Sequence, residues 1–240
     1  MRGFLKYFWI PTITVALSAA PLNLNTGTAN WQVTQTSGPS NNGAALNTTT
    51  NATILTGSLA FLPNMLGFEV YSWINPVNGA MWVGQLASDG NFSNGTTVTC
   101  GSICGATGGF YTYTLTFNGG LGGSFLLSAF TGDNTIRSLR VTASNGTLYS
   151  CSIGGPGPLC PATQNTSASS GVLTYAAGGT VTITAVVENI DGPGRNPSGF
   201  FLAGSGSSID PTPTPEPSTY AMLGIGCLAI LGSRLARRRS

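Results

Sequence analysis

Histidine is absent from the 240 residues, and charge is scarce, with only 7% Asp, Glu, Lys or Arg against about 25% in an average soluble protein. Without an imidazole, Ser–His–Asp and Cys–His nucleophilic catalysis are excluded, as are zinc sites that pair cysteine with histidine. The chain also lacks a phosphate-cradling P-loop, a dinucleotide glycine fingerprint and an HExxH helix. No long segment of 3.6-residue apolar periodicity is present, so a helical core is not expected. Basic clusters are missing from the middle. Between the two termini, three arginines (Arg137, Arg140, Arg195) stand against five carboxylates (Glu69, Asp89, Asp133, Glu188, Asp191), a balance of −2. A mildly acidic module is a poor partner for nucleic acid, because neutralising phosphates needs clustered Lys and Arg.

What is present is glycine, 34 residues of it, with much Asn, Thr and Ser, and a hydrophobic content of 41% that includes eleven Phe, seven Tyr and four Trp. That apolar content is enough for a core, and the small polar residues suit strands and turns. "GFYTYTLTF" from Gly109 to Phe117 alternates aromatic or leucine residues with Thr112, Thr114 and Thr116. "TVTITAVVE" from Thr180 to Glu188 does the same, with Val181, Ile183, Ala185 and Val187 inward. A period of two with β-branched residues predicts strands. Further strands are expected at Ile54–Phe61, Phe68–Trp73, Ala80–Leu86, Ser124–Phe130, Ile136–Ala143 and Phe200–Ala203. Asn78-Gly79, Asp89-Gly90, Asn94-Gly95, Asn118-Gly119 and Asn145-Gly146 supply turn chemistry. The fold class is therefore all-β, a sandwich or jelly roll. It is expected to span 30–209, with the low-complexity stretch in 30–52 as a loose arm.

Both ends carry membrane-type segments. Arg2 and Lys6 precede an apolar run from Tyr7 to Ala20, the pattern of a secretory leader, expected as a signal helix within 1–29. Cleavage has three candidate positions, after Ser18, Ala20 or Ala29. Pro21 is a poor first residue, and Gly27-Thr28-Ala29 offers small side chains, so Ala29 is the expected site. At the other end, a proline-rich spacer over 210–217 leads into an apolar run over 220–236 that contains Cys227, then Arg234, Arg237, Arg238 and Arg239. The spacer reads as extended polyproline. The run is short of the roughly 20 residues that span a bilayer comfortably. Its arginines would stay on the cytoplasmic side, so it reads as a short transmembrane helix.

The order Pro215-Glu216-Pro217-Ser218-Thr219, apolar run, terminal arginines resembles the bacterial PEP-CTERM sorting signal, over 215–240. The resemblance implies recognition by an exosortase-type enzyme, with processing near Pro215, Glu216 and Pro217. It also implies a chain that is membrane-held at first and then delivered to the cell envelope or exopolysaccharide matrix. A plain single-pass anchor uses the same helix and stays open as an alternative. Residues from about 105 to 204 also resemble a galactose-binding-like jelly roll found in exported PEP-CTERM proteins. The likeness rests on an aromatic strand, the Gly132-Asp133-Asn134 turn and the loop "NIDGPGRNPSG".

Cys100, Cys104, Cys151 and Cys160 lie in the exported part, where an oxidising compartment favours disulfides. Local pairing, Cys100 with Cys104 and Cys151 with Cys160, closes short Gly- or Pro-rich loops. Asp133, Glu188 and Asp191, with Asn134 and Asn189, are hard oxygen donors on two loops and thus weak calcium candidates, although turn capping is the simpler explanation of the aspartates. No catalytic residue, resident cofactor or transition-metal site is expected. Trp31, Trp73 and Trp82 are candidates for stacking on sugar rings, with Trp73 and Trp82 reading more readily as core. The expected function is that of a non-enzymatic envelope or exopolysaccharide-matrix protein, structural or adhesive; a carbohydrate-binding module that recognises the secreted polysaccharide is the alternative.

Overall fold

The computed structural model describes residues 19–41, 44–55, 77–90, 106–155, 157–163, 166–190 and 198–209. Twelve strands follow in chain order. They are β1 (Ala19–Asn23), β2 (Gln32–Gln35), β3 (Thr49–Asn51), β4 (Thr53–Ile54), β5 (Val83–Gly84), β6 (Gly109–Asn118), β7 (Gly123–Asp133), β8 (Thr135–Ala143), β9 (Gly146–Ser152), β10 (Val172–Tyr175), β11 (Thr180–Asn189) and β12 (Gly199–Ile209). A 3₁₀ turn spans Ala87–Gly90.

The strands form two antiparallel sheets. Sheet A runs β10-β7-β12-β5-β4, with β1 also paired to β12; sheet B runs β3-β2-β6-β11-β8-β9. The described residues are thus all-β and consistent with a sandwich. Alternation decides which side chains enter the core. On β6 and β11, Tyr111, Tyr113, Leu115, Val181, Ile183, Ala185 and Val187 are buried. They meet Phe125, Leu127, Phe130, Phe200 and Leu202 of sheet A in one cluster. The other face of β12 is covered as well, because Phe201 and Ala203 pack with Leu55, Ala80 and Trp82. Burying such side chains contributes about 1.5–3 kcal/mol each.

Several expected boundaries move. The segment 30–52, expected as a loose arm, supplies β2 and β3, with Val33 and Gln35 fully buried. β2 pairs with β6 because Val33 sits opposite Tyr113 and shares its inward face. Strand pairing also begins before residue 30: β1 lies along β12, with Ala19 opposite Ile209 and Asn23 opposite Ser205. A proline, Pro21, is compatible with this edge position, where a missing N–H need not join a ladder. The strand expected over Ala80–Leu86 is reduced to Val83–Gly84. The strand expected at Phe68–Trp73, the turn at Asn94-Gly95, the leader up to Ser18 and the whole of 210–240 lie outside the described residues.

The two-residue turn at Ser144-Asn145 joins β8 to β9, and Gly146 sits at φ +118°, a backbone region that favours glycine. Asn78 and Gly79 turn at φ +53° and +76°, as their sequence predicts.

Cys151 on β9 and Cys160 in the following loop form a disulfide with Cα atoms 5.0 Å apart. Both are buried. Closing so short a loop contributes about 2–3 kcal/mol by restricting the unfolded chain. The paired substitution Cys151→Ser with Cys160→Ser is expected to lower Tm by roughly 5–10 °C. Equal Tm values for the two proteins by calorimetry would refute a stabilising role.

Candidate functional site

Sheet B presents a broad outer face. Side chains that alternate with the core residues stand out from all six strands, and their register places them in rows. One row reads Thr49, Thr34, Thr112, Val186, Ser138 and Ser152. The next reads Asn51, Gln32, Thr114, Thr184, Arg140 and Ser150. A shorter one reads Thr116, Thr182, Thr142 and Thr147. The face is dense in hydroxyl groups, with Val186 and the half-exposed Phe110 among its apolar side chains. Neighbouring hydroxyls support one another: Thr34 and Thr49 are 2.8 Å apart, and Arg140 Nη2 donates to Thr147 Oγ1 at 2.7 Å. Such cross-strand pairs each add a few tenths of a kcal/mol and hold the rotamers.

The calcium candidates fall differently. Glu188 stands on this outer face, where Arg137 engages its carboxylate. Asp133, at the end of β7 in sheet A, is 2% exposed, and its carbonyl accepts a hydrogen bond from Ser198 Oγ at 3.0 Å. Backbones meet nearby, since Asn134 N–H donates to the Glu188 carbonyl at 3.1 Å. Asn134 Oδ1 accepts from Ile190 N–H at 2.8 Å, a long-range bond that ties the turn after β7 to the end of β11. Asn189 is turned inward and its amide donates to Ala106 and Thr107 carbonyls. Asp191 lies outside the described residues. Among the described residues, no three His, Cys, Asp or Glu side chains converge as metal ligands.

The sugar-stacking candidates Trp31 and Trp82 are core residues. They are 2% and 1% exposed, and Trp31 meets Phe200 edge-on at 5.2 Å while Trp82 meets Phe201 at 5.7 Å. No aromatic ring is among the exposed large hydrophobic residues described. Trp73, Cys100 and Cys104 lie outside the described residues.

A buried polar network that sequence reasoning passed over sits at one end of the sandwich. Asp89, 1% exposed, accepts from Leu86 N–H through Oδ2 at 2.8 Å and from Asn41 Nδ2 through Oδ1 at 3.0 Å. Asn41 N–H donates to Gln35 Oε1 at 3.0 Å, and Asn41 Oδ1 accepts from Thr107 N–H at 3.3 Å. The Tyr111 hydroxyl donates to the Thr107 carbonyl at 2.8 Å. Burial pushes the Asp89 carboxyl up to about 6 against the hydrogen bonds from Leu86, Asn41 and Gln85, which pull it down. Burial also raises the Tyr113 hydroxyl, helped by Asp89 and Tyr111. In the sequence, Asp89-Gly90 carried only a turn signal; a buried acid has no local mark.

Residues 213–240 match the PEP-CTERM protein-sorting motif. This motif is a substrate signal for exosortase processing, and it marks the chain as an exported, envelope-associated protein. The matched span includes Pro215, Glu216 and Pro217 and the cluster Arg234, Arg237, Arg238 and Arg239. Among solved structures, a carbohydrate-binding module, CBM36, in complex with calcium and xylotriose is similar over 50% of this chain and 96% of its own, at 12% identity and a TM-score of 0.22. A likeness of that size says nothing about a ligand here. No curated protein matches the chain. Among the described residues, no helix is long and apolar enough to cross a membrane; the run over 220–236 lies outside them.

Proposed function

We propose that the chain is a non-enzymatic protein of the envelope or exopolysaccharide matrix, and that it adheres to polysaccharide through the outer face of sheet B. The leader carries it out of the cytoplasm. The run over 220–236 holds it in the membrane, and exosortase-type processing near Pro215, Glu216 and Pro217 sends it on. The observation that supports the adhesive role is the six-stranded face of Thr, Ser, Asn and Gln side chains on an exported chain.

A surface rich in hydroxyls suits a polyhydroxylated polymer. The Thr, Ser, Asn and Gln side chains each donate and accept hydrogen bonds, so one face can meet many sugar hydroxyls without a pocket. Each contact is weak, and many contacts along one polymer add through multivalency. Recognition of a defined sugar through stacked rings, as in the alternative reading, draws no support from Trp31 and Trp82, which are buried.

The test is co-sedimentation of the exported protein with polysaccharide shed by the producing cells. A variant with Thr34→Ala, Thr112→Ala, Thr114→Ala, Thr182→Ala and Thr184→Ala keeps the core intact. Its apparent affinity, from retention against polysaccharide concentration, is expected to fall about tenfold, equal to ~1.4 kcal/mol. Unchanged retention, with circular dichroism showing the fold preserved, would remove the face from the role. Saturable binding to one oligosaccharide on a glycan array would favour the carbohydrate-binding module instead.

A further inference from the structure

We infer that the leader is cut between Ser18 and Ala19, so that the exported protein begins with β1. The inference rests on the export reading above and corrects the cleavage position expected from sequence, after Ala29.

The fold shows what a cut after Ala29 would remove. β1 pairs with β12 residue by residue, from Ala19 opposite Ile209 to Asn23 opposite Ser205. The pairing then continues past the strand: Leu24 N–H donates to the Gly204 carbonyl at 3.1 Å and Thr26 N–H to the Leu202 carbonyl at 2.9 Å. The Thr26 hydroxyl is fully buried; it donates to the Met81 carbonyl at 2.6 Å and accepts from Leu202 N–H at 3.1 Å. Asn25 Oδ1 accepts from Gly204 N–H at 2.8 Å. Leu24 is 0% exposed in the main core, and its carbonyl accepts the buried indole N–H of Trp31 at 2.9 Å. A chain starting at Asn30 keeps Trp31 and loses its partner. It also loses the strand that pairs with the C-terminal half of β12 from Ser205 to Ile209, so those backbone hydrogen bonds go unmade.

The sequence before Ala19 supplies what a leader peptidase requires. Ala16 and Ser18 place small side chains at the third and first positions before the bond, at the C-terminal end of the apolar run. The neighbouring option after Ala20 puts Pro21 first. Among the three candidate bonds, Ser18–Ala19 avoids that proline and keeps all of β1. The step is a hydrolysis by a membrane-bound signal-peptidase-type protease: the Ser18 carbonyl carbon–Ala19 nitrogen bond breaks, water leaves its hydroxyl on Ser18, and its proton goes to the Ala19 amine. Because Ala19 pairs with Ile209, the new N-terminus sits beside the residue from which the sorting tail departs.

N-terminal sequencing of the exported full-length chain tests this. The expected product reads Ala-Ala-Pro-Leu. A product that reads Asn-Trp-Gln-Val overturns the inference and leaves the leader reading standing; a chain that still begins at Met1 overturns both. Two variants sharpen the test. Ser18→Phe is expected to leave the leader attached, and normal processing of that variant would overturn the inference. Asn30→Pro, on an exposed residue, is expected to leave the N-terminus unchanged, whereas blocked processing would assign the cut to Ala29.

Discussion

Phe200→Ala is expected to destabilise the module by about 3–5 kcal/mol, the range for removing a fully buried aromatic side chain. Phe200 is 0% exposed. It stacks with Tyr113 of sheet B at 5.0 Å and meets Trp31 edge-on at 5.2 Å, so one side chain joins both sheets and the segment before β2. Alanine leaves a cavity lined by rigid rings that cannot collapse into it. Tm should fall by roughly 10–15 °C. Phe200→Leu, which keeps much of the volume, should lose markedly less. Similar losses for the two substitutions, measured by thermal denaturation, would show that packing around Phe200 is not the source.

The second large effect is a dependence of stability on pH, carried by Asp89. Its folded pKa is about 6, against an ordinary value of 3.8. The folded state therefore holds the proton more tightly than the unfolded chain does. The stabilisation is complete below about pH 4 and is lost as pH rises through 6. The difference between the limits is roughly 3 kcal/mol, so the module should be more stable near pH 4 than near pH 7 in this term. Asp89→Asn removes the titrating group while keeping an oxygen for Asn41, and it should flatten that part of the profile. Denaturant melts between pH 4 and pH 7 on both proteins decide the matter. Parallel profiles would mean that Asp89 does not carry the effect. An exported protein meets external pH directly, and this network ties the 3₁₀ turn to β12, because Ser198 N–H donates to the Asp89 carbonyl at 3.0 Å.

How far the fold could be read from the chain depended on the length of each alternating run. β6, β7, β8 and β11 have nine to eleven residues each, and all were visible in outline as alternating or β-branched segments. β12 was half visible. Phe200–Ala203 reads as a strand, while "GSGSSI" behind it has the composition of a loop. That half is a strand because it is paired on both sides, with Phe125 opposite Gly206 on β7 and Leu22 opposite Gly206 on β1. A Cβ at Gly206 would stand 2.3 Å from the Ser124 carbonyl oxygen, so glycine there serves close packing of strands. β2, β3, β9 and β10 are short and went unread, because three to seven residues give too few alternations to stand above chance.

The sequence by itself determined the properties that depend on residue type or on neighbours along the chain. These are the exclusion of imidazole chemistry, the sorting address read at 215–240, and the alternation of β6 and β11. Tertiary structure alone decided which strands lie side by side. Thr112, Thr114 and Thr116 were visible as one ladder on one strand. They became a face only when Thr34 came opposite Thr112 and Thr182 opposite Thr116. In the same way, Ala19–Asn23 reads as the end of a leader until it lies against Ser205–Ile209. The physical reason is that side-chain alternation follows from the pleat of a single strand, whereas register is set by hydrogen bonds and packing between residues that can lie nearly the whole chain apart.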